Sequence, residues 1–303
     1  MKAKALKKGD VIGIFAPSSY IDSKKLDEAI AYLNKRGFEV LVHPQTYDRI
    51  FQSAGTDNQK LEAFYDLLSD KSIKAIFAAG GGNFSSSLLD LIDYEFVKRH
   101  KKIIMGFSDV TAFLNAITCR TGLITFHGPV ASWLPNIEKL PAKSNFELLS
   151  GERAMIDLRG SRVLRHGQAQ GQIWGGNLSL FHLLPGTKTP PQTRKSILIL
   201  EDIGEELSHV DRMFIHLKRV GVLNEISGLI CGAFSNLKDT GTRPFGLSFD
   251  EIVMRHVEDY SYPVIVNAPF GHINNFYAMP IGAKAFIDTK GKKQLLLNEK
   301  VVL

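Results

Sequence analysis

What this 303-residue chain lacks narrows its reading first. No apolar stretch approaches the roughly 18 residues of a membrane-spanning helix, so no membrane partner is expected. Lys2, Lys4, Lys7 and Lys8 precede an apolar run, Val11 to Ala16, in the manner of a secretory signal. That run is too short, follows Asp10 and stops at Pro17, so it reads as a first β-strand and the expected location is cytoplasmic. Cysteine is scarce: Cys119 and Cys231 stand far apart in apolar surroundings, as suits free thiols in a reducing compartment. With neither an H-E-x-x-H string nor clustered Cys, His and Asp ligands, no metal or other cofactor is expected.

Charge of one sign is also in short supply. Lys and Arg number 37 against 31 Asp and Glu, a net +6 with no long run of like charge. This mildly favours anionic ligands. Finger spacings, RNP-like aromatics and heptads beside a basic region are missing, so nucleic acid is not an expected partner. The 44% apolar and 22% charged content then excludes a disordered chain.

What is present is an alternation of strands and helices. After the Val11 to Ala16 strand, Leu26, Ala29, Ile30 and Leu33 recur at helical spacing until Gly37. Phe38 to Val42 reads as a strand, and Thr56 caps a helix carrying Leu61, Phe64, Tyr65 and Leu68. Ala75 to Ala78, Ile103 to Phe107 and Ile124 to Phe126 are further strands, with a helical Val110 to Ala116 between the last two. This order predicts a doubly wound parallel sheet over residues 1–130. From 131 to 170 the periodicity fades, as in a segment crossing between domains. Residues 171–303 read as a second, α+β domain, with strands at Ser196 to Leu200 and Leu229 to Ala233 and a helix carrying Met213, Phe214, Leu217 and Val220. Its tail, Ala285 to Asp288, Gln294 to Leu297 and Val301 to Leu303, gives it antiparallel character.

Four strings carry chemistry. In Ile103-Ile104-Met105-Gly106-Phe107-Ser108-Asp109-Val110-Thr111 a buried strand meets a helix at a serine, the layout of a nucleophile elbow with Val110 in place of its second glycine. Taken alone, a helix cap at Ser108 or Asp109 accounts for the string with fewer assumptions. Ser196 to Asp202 ends an apolar strand on two acids; taken alone, a Glu201 that caps the next element or pairs with Arg212 accounts for it with fewer assumptions. Ala268-Pro269-Phe270-Gly271-His272 presents a histidine in a loop. The order Ser108, Glu201, His272 is that of α/β-hydrolase triads, which makes nucleophilic acyl transfer the reading that unites the three. The fourth string, Gly80-Gly81-Gly82-Asn83-Phe84-Ser85, follows a strand; it is a weak dinucleotide fingerprint, because Ser85 replaces its third glycine, but it can complete an oxyanion hole with Ser108. The competing reading of another class is a non-catalytic small-ligand module built on this glycine loop.

The strings GFSDVTAFLNAITCRTGLITFHGPV, WGGNLSLFHLLPGT, ILILEDIGEELSHVDRMFIHLKRVGVL and APFGH resemble the LD-carboxypeptidase family of serine peptidases, over nearly the whole chain. The resemblance implies Ser108 as nucleophile, Glu201 as the acid that orients the base, and His272 as the base. It also implies a flavodoxin-like or class I amidotransferase-like first domain, a smaller swivelling second domain, a homodimer, and a murein tetrapeptide as substrate. Gly80 stands where the family's R-G-G-Y-G loop has arginine, a departure toward the sister branch of microcin-immunity peptidases, which cut aminoacyl nucleotides. LEDIGE and VDRM point back to the murein branch. Asp109 and Gly81 are the expected oxyanion donors, with Gly82 and Asn83 as further substrate-binding candidates.

Overall fold

The computed structural model describes residues 1–291 and 294–303. Its first sheet comprises β1 (Val11–Phe15), β2 (Glu39–Val42), β3 (Ile73–Ala78), β4 (Ile103–Gly106) and β5 (Thr125–His127). They run parallel in the order β5-β4-β3-β1-β2. Strands covered on both faces need no polar alternation, and the near-continuous apolar runs of β1, β3 and β4 are almost wholly buried. The helix Ser23–Lys35 buries Leu26, Ala29 and Leu33, and Asp22 caps it. Thr56 and Gln59 form a capping box for the helix Asp57–Ser69.

The stretch 131–170 is more structured than its fading periodicity suggests. It contains the helix Lys139–Leu149, with Pro141 in its first turn, where a missing N–H costs no helical bond. It also supplies β6 (Met155–Asp157), β7 (Arg162–Arg165) and the start of β8 (Gln168–Asn177). Strands of three or four residues carry too few positions to show a period.

β6, β7 and β8 join β9 (Ile197–Ile203), β10 (Gly228–Ser235), β11 (Val264–Val266), β13 (Lys284–Asp288) and β14 (Gln294–Leu297) in the second sheet, ordered β6-β14-β13-β8-β9-β10-β11-β7. Its centre, β8 through β11, is parallel, and antiparallel pairing is confined to the flanks. Residues 301–303 lie outside any strand, although Leu303 exchanges backbone hydrogen bonds with Ala3 and Ala5.

Two features bind the sheets together. The chain leaves β11 and returns to the first sheet as β12 (Met279–Ile281), antiparallel to β5. Asn115, in the helix Thr111–Thr121 that follows β4, donates to the Gly175 carbonyl at 2.8 Å and accepts from the Gly175 N–H at 3.2 Å. The Asn177 N–H donates to Thr111 Oγ1 at 3.0 Å, so the helix behind Ser108 is pinned to β8.

Candidate active site

The Ser108 turn is built from small residues and one strained backbone. A Cβ on Gly106 would lie 2.9 Å from Val110 Cγ1, so only glycine lets β4 approach the next helix this closely. Ser108 has φ +60°, a left-handed conformation uncommon for serine. Such strain persists only where surrounding structure enforces it, and here it turns the side chain away from the strand. A short 3₁₀ turn, Ser108–Val110, leads into the helix Thr111–Thr121, placing the start of a helical segment beside the hydroxyl.

Glu201 and Asp202 are consecutive on β9 and therefore face opposite sides of the sheet. Asp202 is structural: it accepts from Asn177 Nδ2 at 2.9 Å, from the Ser179 N–H at 2.9 Å and from Ser179 Oγ at 2.8 Å. Burial and then the charge of Glu201 raise its pKa, against those hydrogen bonds. Glu201, fully buried, points instead toward the loop between β11 and β12. There Gly271 has φ +107°, and a Cβ on it would sit 2.7 Å from Glu201 Oε2. The missing side chain lets the loop close over the carboxylate.

His272 follows directly. Its Nδ1 is 2.7 Å from Glu201 Oε2, and its Nε2 is 3.1 Å from Ser108 Oγ. Phe107 and Trp133 flank the ring, with centroids 4.7 and 6.4 Å away. Burial disfavours its protonated form, but the hydrogen bond and charge of Glu201, helped by Asp202, outweigh this and raise its pKa. The three residues, far apart in the chain, form one continuous relay from β4, β9 and the returning loop.

The glycine loop divides. A Cβ on Gly81 would lie 3.0 Å from Ser108 Cβ, 3.2 Å from its Oγ and 3.8 Å from the Asp109 nitrogen, so Gly81 borders the hydroxyl. Gly82 packs on Ser19, and the Asn83 N–H donates to Ser19 Oγ while its side-chain amide donates to Gln52. The Asp109 carboxylate accepts from the Ser85 N–H at 2.9 Å and its carbonyl from Ser85 Oγ at 2.6 Å, fixing the loop against the Ser108 turn. Gly80 faces Ile21. Among the described residues no His, Cys, Asp and Glu group is arranged to hold a metal. A cavity of about 790 Å3 lined by Arg36, Phe38, Phe146 and lysines contains none of the triad residues.

Sequence reading missed two buried groups. His127, the last residue of β5, lies with Nε2 4.0 Å from the free oxygen of Glu201. Lys60 holds its ammonium group 5.3 Å over the Phe84 ring, without a hydrogen-bond partner among the described residues. Burial lowers its pKa, opposed by Asp57 and Asp109. Lys60 lies in no recognisable motif, and His127, although it falls within the first of the four family-like strings, has no role assigned by it. The one available signal was the place of His127 at a strand's carboxyl end, where such sheets assemble their sites.

A serine, a histidine and a glutamate in hydrogen-bonding sequence on a two-sheet α/β scaffold define the class as a serine hydrolase. Residues 12–128 match the LD-carboxypeptidase N-terminal domain and residues 170–287 the LD-carboxypeptidase C-terminal domain, so the chain belongs to the LD-carboxypeptidase family. It is 34% identical to a probable murein peptide carboxypeptidase of Bacillus subtilis, over 97% of this chain and 94% of that protein. It is 26% identical to the microcin C7 self-immunity protein MccF of Escherichia coli, over 98% and 97% of the two. The crystal structure of a muramoyltetrapeptide carboxypeptidase from Oxalobacter formigenes superposes with a TM-score of 0.83 at 26% identity, covering 95% of this chain and 97% of that one.

Proposed function

We propose that this protein is a serine LD-carboxypeptidase that releases the terminal D-alanine from murein tetrapeptide. The observation that carries the reading is the unbroken contact from Ser108 Oγ through the His272 ring to Glu201. Ser108 attacks the carbonyl between the L-centre of the diamino acid and D-alanine while His272 Nε2 takes its proton. Glu201 holds the Nδ1–H tautomer and stabilises the imidazolium. The N–H groups of Asp109 and Gly81 receive the oxyanion. His272 then protonates the departing amine, and water, activated by the same ring, frees the acyl group from Ser108. We further place the enzyme in the cytoplasm, as a homodimer acting in peptidoglycan recycling without a cofactor. No helix among the described residues is long and apolar enough to cross a membrane.

Mass spectrometry of purified murein tetrapeptide incubated with the protein tests this, with tripeptide and free D-alanine expected. The second reading is an immunity-type amidase acting on peptidyl or aminoacyl nucleotides, supported by the likeness to MccF and by Gly80 in the glycine loop. Cleavage of an aminoacyl nucleotide with an intact tetrapeptide would favour it.

A further inference from the structure

Glu201 poses a problem that the triad does not solve. One of its oxygens meets His272, but Oε1 is buried and has no hydrogen-bond partner among the described residues. An unsatisfied oxygen on a buried carboxylate is costly, so a donor is expected nearby. The imidazole of His127, equally buried, has no hydrogen-bond partner on either nitrogen among the described residues. Its Nε2 stands 4.0 Å from that same oxygen. The rings of Phe107, Phe270 and Phe276 enclose it, with centroids 5.5 to 6.2 Å away. On its other side, a Cβ on Gly176 would come within 2.9 Å of Nδ1.

We propose that His127 is a positioning residue: a neutral ring whose Nε2–H serves the outer oxygen of Glu201 and, from the opposite sheet, holds the carboxylate aimed at His272. At 4.0 Å the pair is in electrostatic contact, within a small ring movement of a hydrogen bond, and hydrogen bonds of catalytic sites are often long before substrate binds. His127 ends β5 beside Gly106 of β4, whereas Glu201 lies on β9, so the contact links the nucleophile's sheet to the acid's. Burial lowers the His127 pKa to about 4, against the charge of Glu201 and with that of His272, which keeps the ring uncharged at neutral pH. The titratable groups acting on His272 are Glu201 and Asp202, with His127 behind Glu201. Removing the His127 donor leaves the Glu201 charge to act wholly on His272, whose titration then moves to higher pH.

The assignment rests on the acyl-transfer reading of Ser108, but its test does not need turnover. In protein labelled with ¹⁵N-imidazole histidine, NMR should show His127 as the Nε2–H tautomer without titration between pH 5 and 9. His127→Phe should raise the His272 midpoint by roughly half a unit to one unit, and His127→Gln, which retains an N–H, should return it toward the wild-type value. With tetrapeptide, His127→Phe should lower kcat about tenfold and leave KM within about twofold. A wild-type His127 that carries its proton on Nδ1, or that titrates in this range, overturns the proposal even if the variants do not fold. So does an unchanged His272 midpoint in folded His127→Phe, or an equal shift in the Phe and Gln variants. If the midpoints move as stated but the wild-type protein leaves tetrapeptide intact, the positioning role stands and the carboxypeptidase reading falls.

Discussion

The proposed nucleophile and its proposed acid–base partners are built in different ways. Ser108 is placed locally: Gly106, a left-handed Ser108 and the helix start at Thr111 lie within six consecutive residues. The Glu201–His272 pair has no local origin, since β9 supplies one member and the loop returning from β11 to β12 the other. A local turn withstands small shifts between sheets, whereas a pair assembled from distant segments depends on every contact that sets their spacing. Substitutions near His272 should therefore disturb the relay without disturbing the Ser108 turn.

The largest test of this contrast is His272→Ala, expected to reduce kcat by about 10³-fold or more with an unchanged fold, measured by steady-state D-alanine release and circular dichroism. Gly271→Ala strikes the assembly itself, because its methyl would press on Glu201 at a φ of +107°. It should lower kcat about 10- to 100-fold and stability by about 1–3 kcal/mol, read by turnover and by denaturant unfolding. The amide of the terminal D-alanine should be cleaved about ten- to a hundredfold less well by kcat/KM than the free acid, through loss of a charge-assisted contact. Equal rates on acid and amide would move the assignment toward the immunity-type amidase.

The last test concerns pH and stability. His127 is buried with its pKa lowered from 6.5 to about 4, so the unfolded chain binds this proton first as pH falls. The stability it contributes is full above about pH 6.5 and is lost progressively toward pH 4, by up to about 3 kcal/mol. His272, with a raised pKa, works in the opposite sense. Unfolding curves of wild-type and His127→Phe protein between pH 7 and 4 should converge by that increment. For turnover, His272 must be neutral as a base, so kcat/KM should fall on acidification through a midpoint above 6.5. Glu201→Gln should move that midpoint down.

How much was legible in the sequence follows the same division. β1, β3 and β4 follow from apolar runs that are buried almost throughout, and the Ser23–Lys35 helix follows from its 3.6-residue apolar spacing, whereas the three-residue β12 of the same sheet was not legible. β8 was not legible as a strand, since Gly171, Gly175 and Gly176 break its pattern. Side chains at Gly171 and Gly175 would run into the carbonyls of Lys195 and Ile199, so these glycines are what let β8 pair tightly with β9. His127 reads as an ordinary strand residue until the fold brings Glu201 to it. Its surroundings, three aromatic rings and a carboxylate, come from segments that no spacing rule connects.

The most direct test of the account compares D-alanine release by wild-type protein and folded Ser108→Ala on purified murein tetrapeptide under identical conditions. The wild type should release D-alanine and the variant should lose about 10³- to 10⁶-fold, with both proteins melting alike. Near-normal release by folded Ser108→Ala would contradict the serine mechanism.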